Sequence, residues 1–86
     1  MSDQKALCRE ALSAAVVGFR LGMEGQASEN LAKFVDCFLP LLQEAKQLNV
    51  DEVNHLFGEV LAAQSRKDFL RVADLLEYEI SRLLAD

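Results

Sequence analysis

Apolar residues recur along most of the chain at intervals of three and four, and nowhere do β-branched residues alternate with polar ones over the length of a strand. That period predicts an all-α protein. Four segments carry it, at about 3–24, 27–47, 50–64 and 69–84. In the second, Leu31, Phe34, Val35, Phe38, Leu41, Leu42, Ala45 and Leu48 share one face, and the phase is the same on both sides of Pro40. Pro40 falls opposite that face, where the backbone hydrogen bond it forfeits can be replaced by water, so a kink is expected rather than a stop. The third segment has Val53, Leu56, Phe57, Val60 and Leu61 as its apolar stripe, which fails across Gln64-Ser65-Arg66-Lys67-Asp68. A turn is expected there, with Asp68 or Ser65 capping the fourth helix.

The helix ends carry their own signals. Ser2 or Asp3 can cap the first helix, and Gly25 is the expected residue after its C-terminus, because glycine enters the left-handed region without steric cost. Asn49 followed by Glu52 makes a capping-box variant, with Leu48 and Val53 at the two staple positions. Short connections between four helices close most simply as an antiparallel four-helix bundle. The chain also aligns with itself: Leu31–Asp36 matches Val72–Glu77 at an offset of 41 residues, which reads as two helical hairpins in tandem.

Composition narrows the partners. The chain has 86 residues and a formal charge of −5, and residues 51–86 hold eight acidic against four basic side chains. With no run of Lys or Arg, it lacks the phosphate-neutralising charge that nucleic acids and anionic membrane surfaces require. The longest apolar-rich stretch, Ala11 to Met23, is well short of the roughly 20 residues needed to cross a bilayer. No secretory signal is visible at the N-terminus, so the expected compartment is the cytosol. Cys8 and Cys37 lack the spacing of a zinc or redox motif and fit that compartment as buried or half-buried thiols. A domain this small buries a modest fraction of its surface, which favours a homodimer.

Candidate chemistry is sparse. Glu52-Val53-Asn54-His55 places a carboxylate and an imidazole on one helical face, with Glu59 one turn beyond, as in di-iron carboxylate bundles. A di-metal site needs a second such motif, and His55 is the only histidine, so two copies would have to meet across a dimer. The expectation is that Glu52 serves the helix start and that no metal or other cofactor is bound. Glu77 and Glu79 point to different sides of a helix and do not converge as an acid and base pair. Phosphate loops, nucleophile elbows and dinucleotide fingerprints are absent. A metal-dependent enzyme is thus the alternative to a protein with no catalytic residues.

Two surfaces read as contact signals. Ala11, Ala14, Ala15, Gly18 and Gly22 make a small-residue seam on helix one, first explained by close helix packing, while Val17 and Leu21 make its middle apolar nearly all round. Such a helix is central or covered by a partner. On helix four, with Phe69, Val72, Ala73, Leu76, Ile80 and Leu83 taken as buried, Arg71, Leu75, Tyr78 and Arg82 form an outward stripe rich in the residue types of interface hot spots.

The segment Ala73-Asp74-Leu75-Leu76-Glu77-Tyr78-Glu79, preceded by Lys67-Asp68-Phe69, resembles a group of short, uncharacterised bacterial helical proteins often encoded near flagellar genes. A fainter likeness covers Gly22 to Leu42. The resemblance implies a bacterial source and an accessory or chaperone-like role beside flagellar export. Together the readings predict a non-enzymatic cytosolic module that works by contact with a protein partner.

Overall fold

A computed structural model describes residues 4–44 and 49–84. The described residues form helices and turns, with no strand among them: α1 is Gln4–Arg20, α2 is Glu24–Glu44, α3 is Val50–Ser65 and α4 is Phe69–Asp74. From Leu75 to Ile80 the fourth helix widens into a π turn, and it finishes as a 3₁₀ turn over Ser81–Leu84. No described helix is long and apolar enough to cross a membrane.

Two three-residue connections set the architecture. After α1, Gly22 takes φ +78°, and its N–H donates to the Phe19 carbonyl at 3.4 Å while that of Met23 donates to the Gly18 carbonyl at 2.8 Å. This is a Schellman ending, in which a left-handed residue lets two amides satisfy carbonyls that the helix end would leave bare. The left-handed residue is therefore Gly22, and Gly25, expected in that role, lies inside α2. Helix one is correspondingly shorter than the expected span to residue 24, and α2 starts at Glu24 rather than at residue 27.

The same ending closes α3. Lys67 has φ 61°, its N–H donates to the Gln64 carbonyl at 2.9 Å, and that of Asp68 donates to the Ala63 carbonyl at 2.9 Å. Asp68 then caps α4, its side chain accepting from the Arg71 N–H at 3.3 Å. The two hairpin turns correspond at 67 − 22 = 45 residues rather than at the 41 of the sequence alignment. A slide of four residues is close to one helical turn, so apolar periodicity alone does not distinguish the two registers.

The other start signals are met where they are described. Asn49 accepts a hydrogen bond from the Glu52 N–H at 3.1 Å, and α2 runs through Pro40 to Glu44. Ser2, Asp3, Ala45 and Leu48, also named in the sequence reading, lie outside the described residues.

Packing places α1 at the centre, against α2 on one side and α4 with its π and 3₁₀ continuations on the other; α3 rests on α4. The small-residue seam serves the first of these contacts. A Cβ built on Gly18 would lie 2.8 Å from the Ala27 Cβ, so glycine is what lets the two backbones approach there. Phe19 stacks on Phe69 with ring centroids 5.6 Å apart, joining α1 to α4. Phe34 and Phe38 of α2 reach Phe57 of α3 at 6.3 and 6.1 Å, but the backbones of α2 and α3 stand well apart. Among the described residues no polar or charged side chain is buried. Among the described residues the bundle is thus closely packed on three sides, and on the fourth aromatic rings reach across a wider gap.

Candidate functional site

The expected outward stripe of helix four does not form as drawn. Tyr78 is 62% exposed, but Leu75 is 2% exposed and belongs to the core. The cause is the π turn, in which the Ser81 N–H reaches back five residues to the Leu76 carbonyl. A wider turn advances less per residue than an α-helix, so the face drifts. Leu75 and Leu76 are both buried, and two turns later Leu84 is buried in place of Leu83, which is only partly covered.

The two guanidinium groups of that stripe lean back onto α3. Arg71 Nη2 lies 3.4 Å from Glu59 Oε1, and Arg82 Nη2 lies 3.4 Å from Glu52 Oε2 and 3.0 Å from Glu79 Oε1. The carboxylates of Glu79 and then Glu52 hold the Arg82 guanidinium protonated even more firmly than usual. These pairs are exposed and contribute little stability individually. Of the four stripe residues, Tyr78 alone offers a free outward side chain.

The metal candidate is also dispersed. His55 Nε2 pairs with Glu59 Oε2 at 2.9 Å, whereas Glu52 is turned to Arg82. Among the described residues no group of three His, Cys, Asp or Glu side chains is arranged to hold a metal ion. Glu77 and Glu79 have separate partners: Glu77 Oε1 accepts from Arg20 at 2.6 Å, and Glu79 from Arg82.

A different surface emerges from the gap between α2 and α3. A groove of about 490 Å³ runs there. From α2 it is lined by Leu31, Val35, Phe38, Leu39 and Leu42, and from α3 by Val53, Phe57, Val60 and Leu61. Its polar lining is Ser28, Asn54 and Gln64, none of them charged. From Ser28 to Leu42 the α2 wall spans roughly 20 Å at 1.5 Å per residue.

The groove is built by excess apolar surface. Each helix carries a stripe wider than the core can cover, because α1 and α4 occupy only one side of it. Val35, Leu42 and Phe57 are therefore partly buried against the core, while Leu39 and Leu61 stay 48% and 63% exposed. Single exposed leucines are ordinary, whereas a concave, continuous surface that is uncharged among the described residues and flanked by them has the makeup of a helix-binding groove. Sequence reasoning placed Phe57 and Leu61 in the core stripe of helix three, so it had the residues but not their exposure.

Compared with known protein families, curated proteins and solved structures, the chain matches none.

Proposed function

We propose that this chain is a non-enzymatic protein-interaction module that holds an amphipathic helix of another protein in the groove between α2 and α3. The supporting observation is the uncharged apolar lining of that groove in a chain whose net charge is −5. Burial of leucine-sized side chains supplies about 1.5–3 kcal/mol each, so a helix presenting apolar residues at i, i+4 and i+7 has enough surface to bind. The acidic chain favours Lys and Arg on the client's outward face, which speeds encounter and rejects acidic helices. Such a module acts as an export-chaperone-like accessory: it covers a client helix that would otherwise aggregate, a role in line with the resemblance at Ala73–Glu79.

The test uses a labelled synthetic helix of Leu and Lys at amphipathic spacing, with a Leu and Glu counterpart as control, followed by fluorescence anisotropy. The Leu/Lys peptide is expected to bind, and the double variant Leu39→Asp/Leu61→Asp to bind at least about tenfold more weakly, a loss of about 1.4 kcal/mol, with its helical circular dichroism unchanged. The variant adds two negative charges, so attraction by charge alone would tighten binding. Unchanged or tighter binding contradicts the reading. Light scattering on the parent chain separates the remaining occupant: a two-chain mass that falls to one in the same variant would assign the groove to a second copy instead.

A further inference from the structure

The α1–α2 hairpin brings together two side chains that the groove does not use. Gly18 meets Ala27 at its closed end, and Cys8 on α1 and Cys37 on α2 each lie ten residues from that contact, at corresponding levels of the hairpin. Nearby, Gln4 Nε2 donates to the Cys37 carbonyl at 2.9 Å, which ties the start of α1 to this point of α2. Both cysteines are free; Cys8 is fully buried, Cys37 is half-buried, and the Cys37 side chain is close enough to act on the Cys8 thiol. A surface cleft of about 520 Å³ has Cys37 in its wall. Glu10, Asn30, Lys33 and Asp36 line it too, offering both signs of charge and an amide to a small zwitterion.

We propose that Cys37 and Cys8 form a two-cysteine modification site, in which Cys37 attacks a small zwitterionic disulfide such as oxidised glutathione and Cys8 resolves the product into an internal Cys8–Cys37 bond. In the first step the Cys37 thiolate sulfur bonds to one glutathione sulfur. The glutathione disulfide breaks, and the departing thiolate takes up the proton that Cys37 gave up. In the second step the Cys8 sulfur bonds to Cys37 Sγ, the mixed disulfide breaks, and the second glutathione leaves with the Cys8 proton. Two protein thiols are oxidised and one glutathione disulfide is reduced to two thiols.

The order follows from access and from protonation. The thiolate is the attacking species, and burial first, then the neighbouring Cys37, push the Cys8 thiol up to about 11. Cys8 is therefore shielded from the external disulfide, and it enters the second step only because the Cys37 sulfur is its neighbour. α1 and α2 pack against each other more extensively than any other two helices among the described residues, and Cys37 neighbours Cys8 across that contact, the juxtaposition a disulfide needs.

Intact-mass and peptide mass spectrometry after incubation of the reduced, native chain with oxidised glutathione tests this. The parent is expected to lose two hydrogens and yield a peptide pair linked through Cys8 and Cys37 within one chain. Cys8→Ala should stop at one glutathionyl group on Cys37, and Cys37→Ala should take none. An adduct on Cys8, or a parent product linked between chains, would overturn the proposal. If either variant fails to fold by circular dichroism, a short pulse of iodoacetamide on the native parent decides: Cys37 should be alkylated at least about tenfold faster than Cys8, and the reverse order contradicts the assignment.

Discussion

Lys67 is the one described residue other than glycine that holds a positive φ, at 61°. It occupies the position in the second hairpin turn that Gly22 occupies in the first, and its Cβ there meets the steric penalty that glycine avoids. Lys67→Gly is therefore expected to stabilise the chain by about 1 kcal/mol, after allowance for the greater freedom of glycine in the unfolded state. Urea unfolding should show a higher midpoint with an unchanged slope; a lower midpoint would mean that the lysine side chain contributes more than its backbone strain costs. At this scale the sequence was legible where a side chain makes the local bond itself. Asn49 and Asp68 accept from amides three residues ahead, and their residue types announce it. Helical spacing places Gly22 on the seam of helix one and so points to Gly25 for the first turn, whereas the closing hydrogen bonds of Gly22 and Met23 set the turn at Gly22. Nothing in a lysine signals a left-handed turn, so Lys67 was invisible.

The fourth helix shows how a change of helix type moves residues between core and surface. A reading at 100° per residue put Leu75 beside Tyr78 on the outside, whereas the π turn keeps Leu75, Leu76 and Ile80 inside and leaves Tyr78 out. The Ser81 hydroxyl donates to the Glu77 carbonyl, so a side chain bonds to the backbone inside the widened segment. Leu75→Ala should cost about 2–5 kcal/mol, as for other buried leucines, while Tyr78→Ala should change stability by no more than about 0.5 kcal/mol. Thermal or denaturant unfolding of the two single variants checks the phase directly: equal, small effects would return Leu75 to the surface. The existence, number and order of the helices were legible because each segment is long and strongly periodic. The π turn was not, since no residue type in Leu75–Ile80 marks a change of helix type.

At the scale of the whole molecule, the uneven closure of the bundle creates the candidate site. α1 is flanked on two sides and α3 rests on α4, so the apolar stripes of α2 and α3 face each other across a gap bridged by Phe34, Phe38 and Phe57. Periodicity finds such stripes helix by helix and assigns all of each to the core. Which part stays uncovered depends on the spacing between helices, and that spacing is set by contacts between helices, such as Phe19 on Phe69 and Gly18 against Ala27, rather than by the pattern within any one of them. The outward stripe of helix four and the Glu52, His55 and Glu59 cluster were drawn from single-helix geometry, and in both the charged members are taken up by pairs between α3 and the fourth helix.

The most direct test of the groove is an amide correlation spectrum of the isotope-labelled chain titrated with the Leu/Lys helix. The account predicts saturable shifts concentrated on residues along the groove, including Val35, Leu39, Phe57 and Leu61, with Val17 and Tyr78 unmoved. Shifts centred on Val17 and Leu21 of α1 or on Tyr78, or small non-saturating shifts spread over the acidic surface, would contradict it.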